Sequence, residues 1–317
     1  MAIDTNGELW IFCLNVGQGD TTVILTPGNK VIIVDAMKPD KTTRLLENLG
    51  LADGDPLHHI VVSHPHSDHY SAVVRLLNTY AVGGLTLSSL RRVTNTTAGY
   101  NDILNTAIQK SVPLSFLSGY TQLFPDGNPV DNPDTPKLEL LGPSNQFIED
   151  LHQAKALNTN HYSIIARLIW KQFRMVIAAD AQMETWAHFD REQMMEEPCS
   201  VLRTAHHGSA NGTQYERIDR LAPREIIVSS ELAGADKLPD LIGCAVYLRY
   251  AEKSFDPLIA LTDDVGTVKI EVDPAGNRTF FAYGDSKNQN VDLTAPQPLT
   301  AANDSDWEAH TRSRMNP

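Results

Sequence analysis

Short apolar runs alternate with amphipathic stretches along most of the chain. Fourteen runs, rich in Val and Ile and bounded by Gly, Pro, Asn or Asp, predict strands at 9–16, 21–26, 31–35, 60–63, 85–88, 114–117, 138–141, 163–170, 173–178, 199–204, 225–230, 258–262, 267–272 and 279–282. Helical spacing predicts helices at 42–49, 70–80, 101–110, 146–156, 183–195, 214–221 and 244–253. Lys171-Gln172 separates two strands as a hairpin turn. Strands interleaved with helices predict an α/β fold of two mixed β-sheets flanked by helices. The stretch 124–136 holds four prolines and three aspartates and reads as a surface loop. No linker divides residues 1–284, so they form one domain. From 285 to 317 the chain turns polar and loses periodicity, which predicts a flexible tail or a segment that binds a protein partner.

Composition adds little to the fold and more to the setting. At 317 residues, 42% of them hydrophobic, the chain can bury a full core. No apolar run is long enough to span a membrane, and the N-terminus lacks a signal-peptide pattern. Three scattered cysteines, Cys13, Cys199 and Cys244, exclude a disulfide framework and fit a reducing cytoplasm. The formal net charge of −13 argues against non-specific binding to polyanions. It leaves room for a phosphodiester substrate, because bound cations reverse the local sign in a cleft. Arg91, Arg92, Arg167, Lys171, Arg174 and Arg203 are the candidate local cations.

The candidate chemistry begins at His64-Pro65-His66-Ser67-Asp68-His69, directly after the run Ile60-Val61-Val62-Ser63. One tight loop delivers three imidazoles and a carboxylate, enough for half-shells around two neighbouring divalent ions. Asp180 ends another apolar run and can bridge two ions. His206 and His207 follow a third run and precede Gly208 and Ser209, whose amides are candidate anion donors. Asn160 and His161 are alternative ligands for the first ion. Asp20, at a glycine-rich turn, and Asp35, at a strand end, are candidates for a supporting shell that fixes the histidines.

With these motifs in place, the chain resembles a metallo-β-lactamase-fold hydrolase, and within it the soluble metallo-β-lactamase-like domain of the ComEC-type competence DNA-channel family. The likeness is carried, in order, by Asn15-Val16-Gly17-Gln18-Gly19-Asp20, Val34-Asp35, the His64 to His69 run, Asn160 with Ser163, Asp180, His206-His207-Gly208-Ser209, and Thr262-Asp263 with Gly266. It implies an αββα sandwich with a dinuclear site at one edge, holding two zinc or manganese ions. His64 and His66 would hold one ion, Asp68, His69 and His207 the other, and Asp180 would bridge them. Asp68 is expected to orient the attacking water and His206 to protonate the leaving oxygen. The implied activity is phosphodiester hydrolysis, with DNA or RNA as substrate. A small-molecule phosphodiesterase acting on phosphorylcholine esters or cyclic nucleotides is the first alternative, and a catalytically silent binding scaffold the second. Two departures stand out: Ala179 replaces the Gly usual in the family, a tolerable change, and the stretch 229–239 lacks the family's Asn…Tyr-Gly-His-Pro pattern, which speaks against DNA as the substrate.

Overall fold

The computed structural model describes residues 4–89, 97–124, 134–195, 198–234, 237–253 and 257–301. The strands in these segments are β1 (Leu9–Cys13), β2 (Thr21–Leu25), β3 (Val31–Ala36), β4 (Pro56–Leu57), β5 (His59–Val62), β6 (Ala81–Val82), β7 (Leu85–Ser88), β8 (Leu114–Leu117), β9 (Gly119–Phe124), β10 (Lys137–Gly142), β11 (Ile165–Trp170), β12 (Phe173–Ile177), β13 (Val201–Arg203), β14 (Glu225–Val228), β15 (Leu258–Leu261), β16 (Val268–Val272), β17 (Arg278–Ala282) and β18 (Gln297–Pro298). The helices are α1 (Pro39–Asn48), α2 (Ser67–Tyr70), α3 (Val73–Thr79), α4 (Ala98–Gln109), α5 (Asn145–Gln153), α6 (Met183–Arg191), α7 (Tyr215–Leu221), α8 (Leu241–Lys253) and α9 (Thr262–Val265). One sheet runs β18-β17-β16-β1-β2-β3-β5-β7-β8, the other β15-β14-β13-β12-β11-β10-β9, and β4 pairs with β6.

Side chains alternate between the faces of a strand, so each buried strand feeds two cores. Ile11, Ile24 and Val34 of the first sheet meet Leu168, Met175, Ile177 and Ile227 of the second. The alternate residues Phe12, Val23 and Ile33 pack outward on Leu45 of α1, Leu76 of α3 and Ile103 of α4. On the far side Val176, Leu202 and Ile226 pack on Trp186 of α6, Ile218 of α7 and Tyr247 of α8. Helix, sheet, sheet, helix: this is the αββα sandwich, and burial on both faces explains why its strands are apolar without a break. Strands β3, β5, β7 and β8 are mutually parallel, as are β12, β13, β14 and β15. The loops that leave their C-terminal ends carry the histidines and aspartates.

Two expectations change. The helix expected over 70–80 is two helices, α2 and α3, parted at Ser71-Ala72. The segment expected to be flexible from Asp285 onward is packed as far as Ala301: Asp285, Val291 and Leu299 are buried, and β18 pairs with β17. Its anchors are too widely spaced to show as periodicity. The Asp285 carboxylate forms a buried ion pair with Lys41 and accepts hydrogen bonds from the Thr267 N–H (2.8 Å) and hydroxyl (2.9 Å). Residues 302–317 and most of the loop expected at 124–136 lie outside the described residues. Cys13, Cys199 and Cys244 are buried free thiols, and burial pushes Cys13 up to about 11 and Cys199 up to about 12. Among the described residues no helix is long and apolar enough to cross a membrane.

Candidate metal centre

Strand β5 runs apolar to Val62, and the chain then turns through His64 and His66 into α2, which presents Asp68 and His69. Across the rim, β12 leads to Asp180, and β13 leads to a short turn containing His206 and His207. The Asp180 carboxylate lies between the two sides. Its Oδ1 is 3.1 Å from His69 Nε2 and 3.3 Å from His207 Nε2. Its Oδ2 is 3.5 Å from His64 Nε2 and 3.7 Å from His206 Nε2. His64 Nε2 is 3.1 Å from His66 Nδ1, and His207 Nε2 is 3.5 Å from Asp68 Oδ2. Donors about 2.0–2.1 Å from a tetrahedral zinc stand roughly 3.3 Å apart, so these spacings suit divalent ions.

The donor set fits a metal on a second count. His69 Nε2, Asp180 Oδ1, both ring nitrogens of His207 and Asn160 Oδ1 are buried without a hydrogen-bond partner. Such orphaned groups cost about 1–3 kcal/mol each unless something else satisfies them. The atoms of His64, His69 and Asp180, and those of Asp68, His69 and His207, each lie within 4.8 Å of one another. In a third grouping, Asp20, Asp35 and His69, the Asp35 carboxylate is hydrogen-bonded to His69 and Asp20 to Arg203. Asp35 accepts from the Ser63 N–H (2.7 Å) and hydroxyl (2.7 Å) and faces His69 Nδ1 at 2.8 Å. Asp20 accepts from Arg203 at 2.9 Å and lies 3.8 Å from His207 Nδ1. Asp35 therefore supports His69 from behind, while Asp20 is bonded to Arg203 and only lies near His207.

Electrostatics follow from this packing. Burial alone would raise the Asp180 and Asp68 carboxyls, but His69 and His207 hold both below the usual carboxylate range. Burial alone would lower His69 and His207, but the carboxylates around them, Asp180 with Asp35 for His69 and Asp180 with Asp68 and Asp20 for His207, together outweigh it and raise both. His64 is lowered by burial and by the charge of His69. His66 falls to about 4 through burial and the neighbouring His64.

The backbone is strained where the ligands sit. Asp35, Ala179, His206 and His207 all have φ between 46° and 55°, a left-handed conformation that costs a non-glycine residue about 1–2 kcal/mol. Two successive left-handed residues splay the adjacent imidazoles. His207 turns inward and is buried, while the His206 side chain stays 20% exposed. His206 Nδ1 meets Asn211 Oδ1 at 2.6 Å and the Ser209 hydroxyl at 2.9 Å, and its Nε2 meets Asn160 Nδ2 at 3.1 Å.

Three expectations are corrected by this geometry. Of the alternatives Asn160 and His161, only Asn160 reaches the centre. His161 accepts the Asn158 N–H at 3.1 Å and faces Glu184 at 3.4 Å, so it closes a local cap. The Ser209 amide donates to His206 O at 2.8 Å within the turn and is not aimed at an anion. Gly208 is pressed against the N-terminal end of α8: a Cβ there would lie 2.6 Å from Pro239 and 3.1 Å from the Tyr247 hydroxyl. The candidate cations do not gather at the centre either. Arg203 is fully buried behind Asp20, Arg167 pairs with Glu139, Lys171 pairs with Asp134, and Arg91 and Arg92 lie outside the described residues. Sequence reasoning missed Asn211, Asp240 and Gly243, which hold the histidine turn. Asp240 accepts from the Ala210 N–H and the Gly243 N–H, each at 2.7 Å.

The metallo-beta-lactamase superfamily model matches residues 14–228, most of the chain and all of these ligands. The chain belongs to the metallo-beta-lactamase superfamily. No curated protein matches it in sequence. Among solved structures it is similar to CmlA, a diiron beta-hydroxylase from Streptomyces venezuelae, at 12% identity over 78% of this chain and 51% of that one, with a TM-score of 0.49. The chain thus spans about half the length of CmlA. It is also similar to the metallo-beta-lactamase fold protein YhfI from Bacillus subtilis, at 11% identity over 80% and 96% of the two chains, with a TM-score of 0.44. Zn(2+)-bound PqqB from Methylobacterium extorquens is similar at 10% identity over 64% of each chain, with a TM-score of 0.38. At these identities the structural likeness concerns the fold of the superfamily and nothing finer.

Proposed function

We propose that the protein is a dinuclear metal-dependent phosphodiester hydrolase. The observation that carries this is the Asp180 carboxylate, with one oxygen toward His69 and His207 and the other toward His64. His64, His66 and Asp180 would hold one ion, with Asn160 beside it, and Asp68, His69, His207 and Asp180 the other. Such an ion pair, when bound, supplies Lewis acidity at the phosphoryl group and lowers the pKa of water. The chain's own contribution is to place groups around that pair. Asp68 keeps 26% of its side chain exposed, so it can accept a hydrogen bond from an attacking water while holding its ion. His206, held at Nδ1 by Asn211 and Ser209, accepts from the Asn160 amide at Nε2 in this structure; it would serve as the proton donor to the leaving oxygen once Nε2 is protonated and turned from that amide to substrate. Ser63 and Asp35 keep the His64 and His69 rings from rotating.

The ComEC-type motifs favour nucleic acid as the substrate. The placement of the cations favours a second reading, a small phosphodiester, since Arg203, Arg167 and Lys171 are all committed to carboxylates elsewhere. The test is a panel of bis-p-nitrophenyl phosphate, DNA, RNA, cyclic nucleotides and a phosphorylcholine ester with Mn²⁺ or Zn²⁺. Phosphodiester turnover is expected, with Asp180→Asn folded, depleted of metal and slower by at least about 10³-fold. Protein that binds two ions and leaves every phosphodiester intact would overturn the proposal, and near-normal turnover by Asp180→Asn would remove the bridge.

A further inference from the structure

The metal centre occupies the C-terminal ends of the parallel strands, and a second cavity opens at their opposite ends. It is a cleft of about 970 Å³ where β14 and β15 begin. Tyr250, Leu258, Phe280 and Leu299 give it an apolar floor, and all four are buried. The segment Thr300-Ala301, which follows β18, forms one lip. The length of β14, about 13 Å at 3.3 Å per residue, separates the cleft from the strand ends that carry the metal ligands. Most of its lining lies beyond residue 228, where the superfamily match stops.

Its charges are unevenly satisfied. Arg278 is consumed by a two-pronged pair with Glu225, at 2.8 and 2.9 Å, which cancels both charges and stiffens one wall. Arg224 and Lys253 are exposed on the lining and form no ion pair with any described residue. The Lys253 ammonium rests 5.0 Å from the Tyr215 ring centroid. Asp219 is the one other acid on the lining; it accepts from the Tyr215 hydroxyl at 3.3 Å and keeps its charge, so the lining carries three cations, Arg224, Lys253 and Arg278, against two carboxylates, Asp219 and Glu225. An adjoining cleft of about 660 Å³ shares Arg224 and the Glu225-paired Arg278. On a chain of net charge −13, a lining with more cations than carboxylates stands out.

From the apolar floor and the two cations at its rim that no described carboxylate pairs, we infer that this cleft is a binding site for an amphipathic anion, an organic carboxylate, sulfonate or phosphate with a flat apolar body. The apolar body lies on Tyr250, Leu258, Phe280 and Leu299, and the anionic group faces Arg224 and Lys253. Burying the ring face supplies most of the affinity, and the cations select an anion over a neutral analogue. The site is separate from the phosphodiester chemistry and stands whether or not that reading holds.

The test is fluorescence titration of the metal-loaded protein with anilinonaphthalene sulfonate. Saturable one-site binding is expected, with neutral anilinonaphthalene weaker by about tenfold. Arg224→Gln with Lys253→Gln should weaken the sulfonate by about the same factor, with melting temperature and metal content unchanged. Hydrogen exchange with the probe bound should show new protection at 222–225, 250–253 and 278–280. Unchanged affinity in the double variant, or protection confined to the histidine loops, overturns the site. Loss of probe binding on chelation of the metal, with the fold intact, places the anion at the metal centre and overturns it equally.

Discussion

The sharpest division of labour at the residue scale falls between His206 and His207, neighbours that the left-handed turn sends in different directions. His207→Ala is expected to lower metal content, measured by elemental analysis, because it deletes the donor between Asp180 and Asp68. His206→Ala should keep its metal and slow turnover by roughly 10²–10⁴-fold, less for leaving groups such as p-nitrophenolate that need little protonation. Metal loss from His206→Ala with retention by His207→Ala would reverse the two roles. The same buried charges predict how metal uptake depends on pH. His69 and His207 are raised by the carboxylates around them, so in the metal-free protein they hold protons that an incoming cation must displace. Affinity should fall as pH falls and uptake should release protons, which calorimetry in buffers of different ionisation enthalpy measures; uptake that is independent of pH would refute this. These residues were legible in the sequence because metal chemistry needs rare side chains in tight spacing at strand ends. Asn211 was not, because an amide that only orients an imidazole looks like any loop residue until the fold brings it 2.6 Å from His206.

Among the elements, the strands were read most reliably. Burial on both faces makes β1, β2 and β3 continuous apolar runs, and such runs leave little ambiguity. β9 escaped because Gly119-Tyr120-Thr121-Gln122-Leu123-Phe124 forms a sheet edge with a register shift and has little to bury. The contact of α8 with the histidine turn was invisible for another reason: it depends on what is missing. A Cβ on Gly243 would lie 1.8 Å from the Gly208 carbonyl oxygen, so the helix can sit on that turn only while residue 243 is glycine. Gly243→Ala should force helix and turn apart, lowering thermal stability by roughly 1–3 kcal/mol through overpacking. It should also reduce metal occupancy through His207. Full occupancy with only a stability loss would show that the turn holds its shape without α8.

Taken whole, the molecule is closed by the polar segment that looked dispensable. Asp285→Ala would leave the Lys41 ammonium buried with only the Asn15 and Ser286 carbonyls to face, an imbalance worth about 3–5 kcal/mol. Burial already lowers Lys41, and without its partner the lowering should deepen. The variant should therefore be least stable while the lysine is protonated and regain stability as pH rises through the lysine range, where a neutral amine needs no counter-charge. Replacing both partners by Lys41→Met and Asp285→Leu should recover most of the loss in a denaturation series, and failure to recover would mean that the other contacts of Asp285 matter more than the pair. The amide of Asn15 also reaches the Asp285 carbonyl, across 270 positions of the chain. At about 5–20 residues per second, synthesis separates the two by roughly 13–55 s. Asp285 adds the most distant of the contacts on the turn that ends at Asp20, whose N–H donates to Asp68 O. The contact between Asn15 and Asp285 therefore forms only after the whole superfamily-matched segment between them has been made.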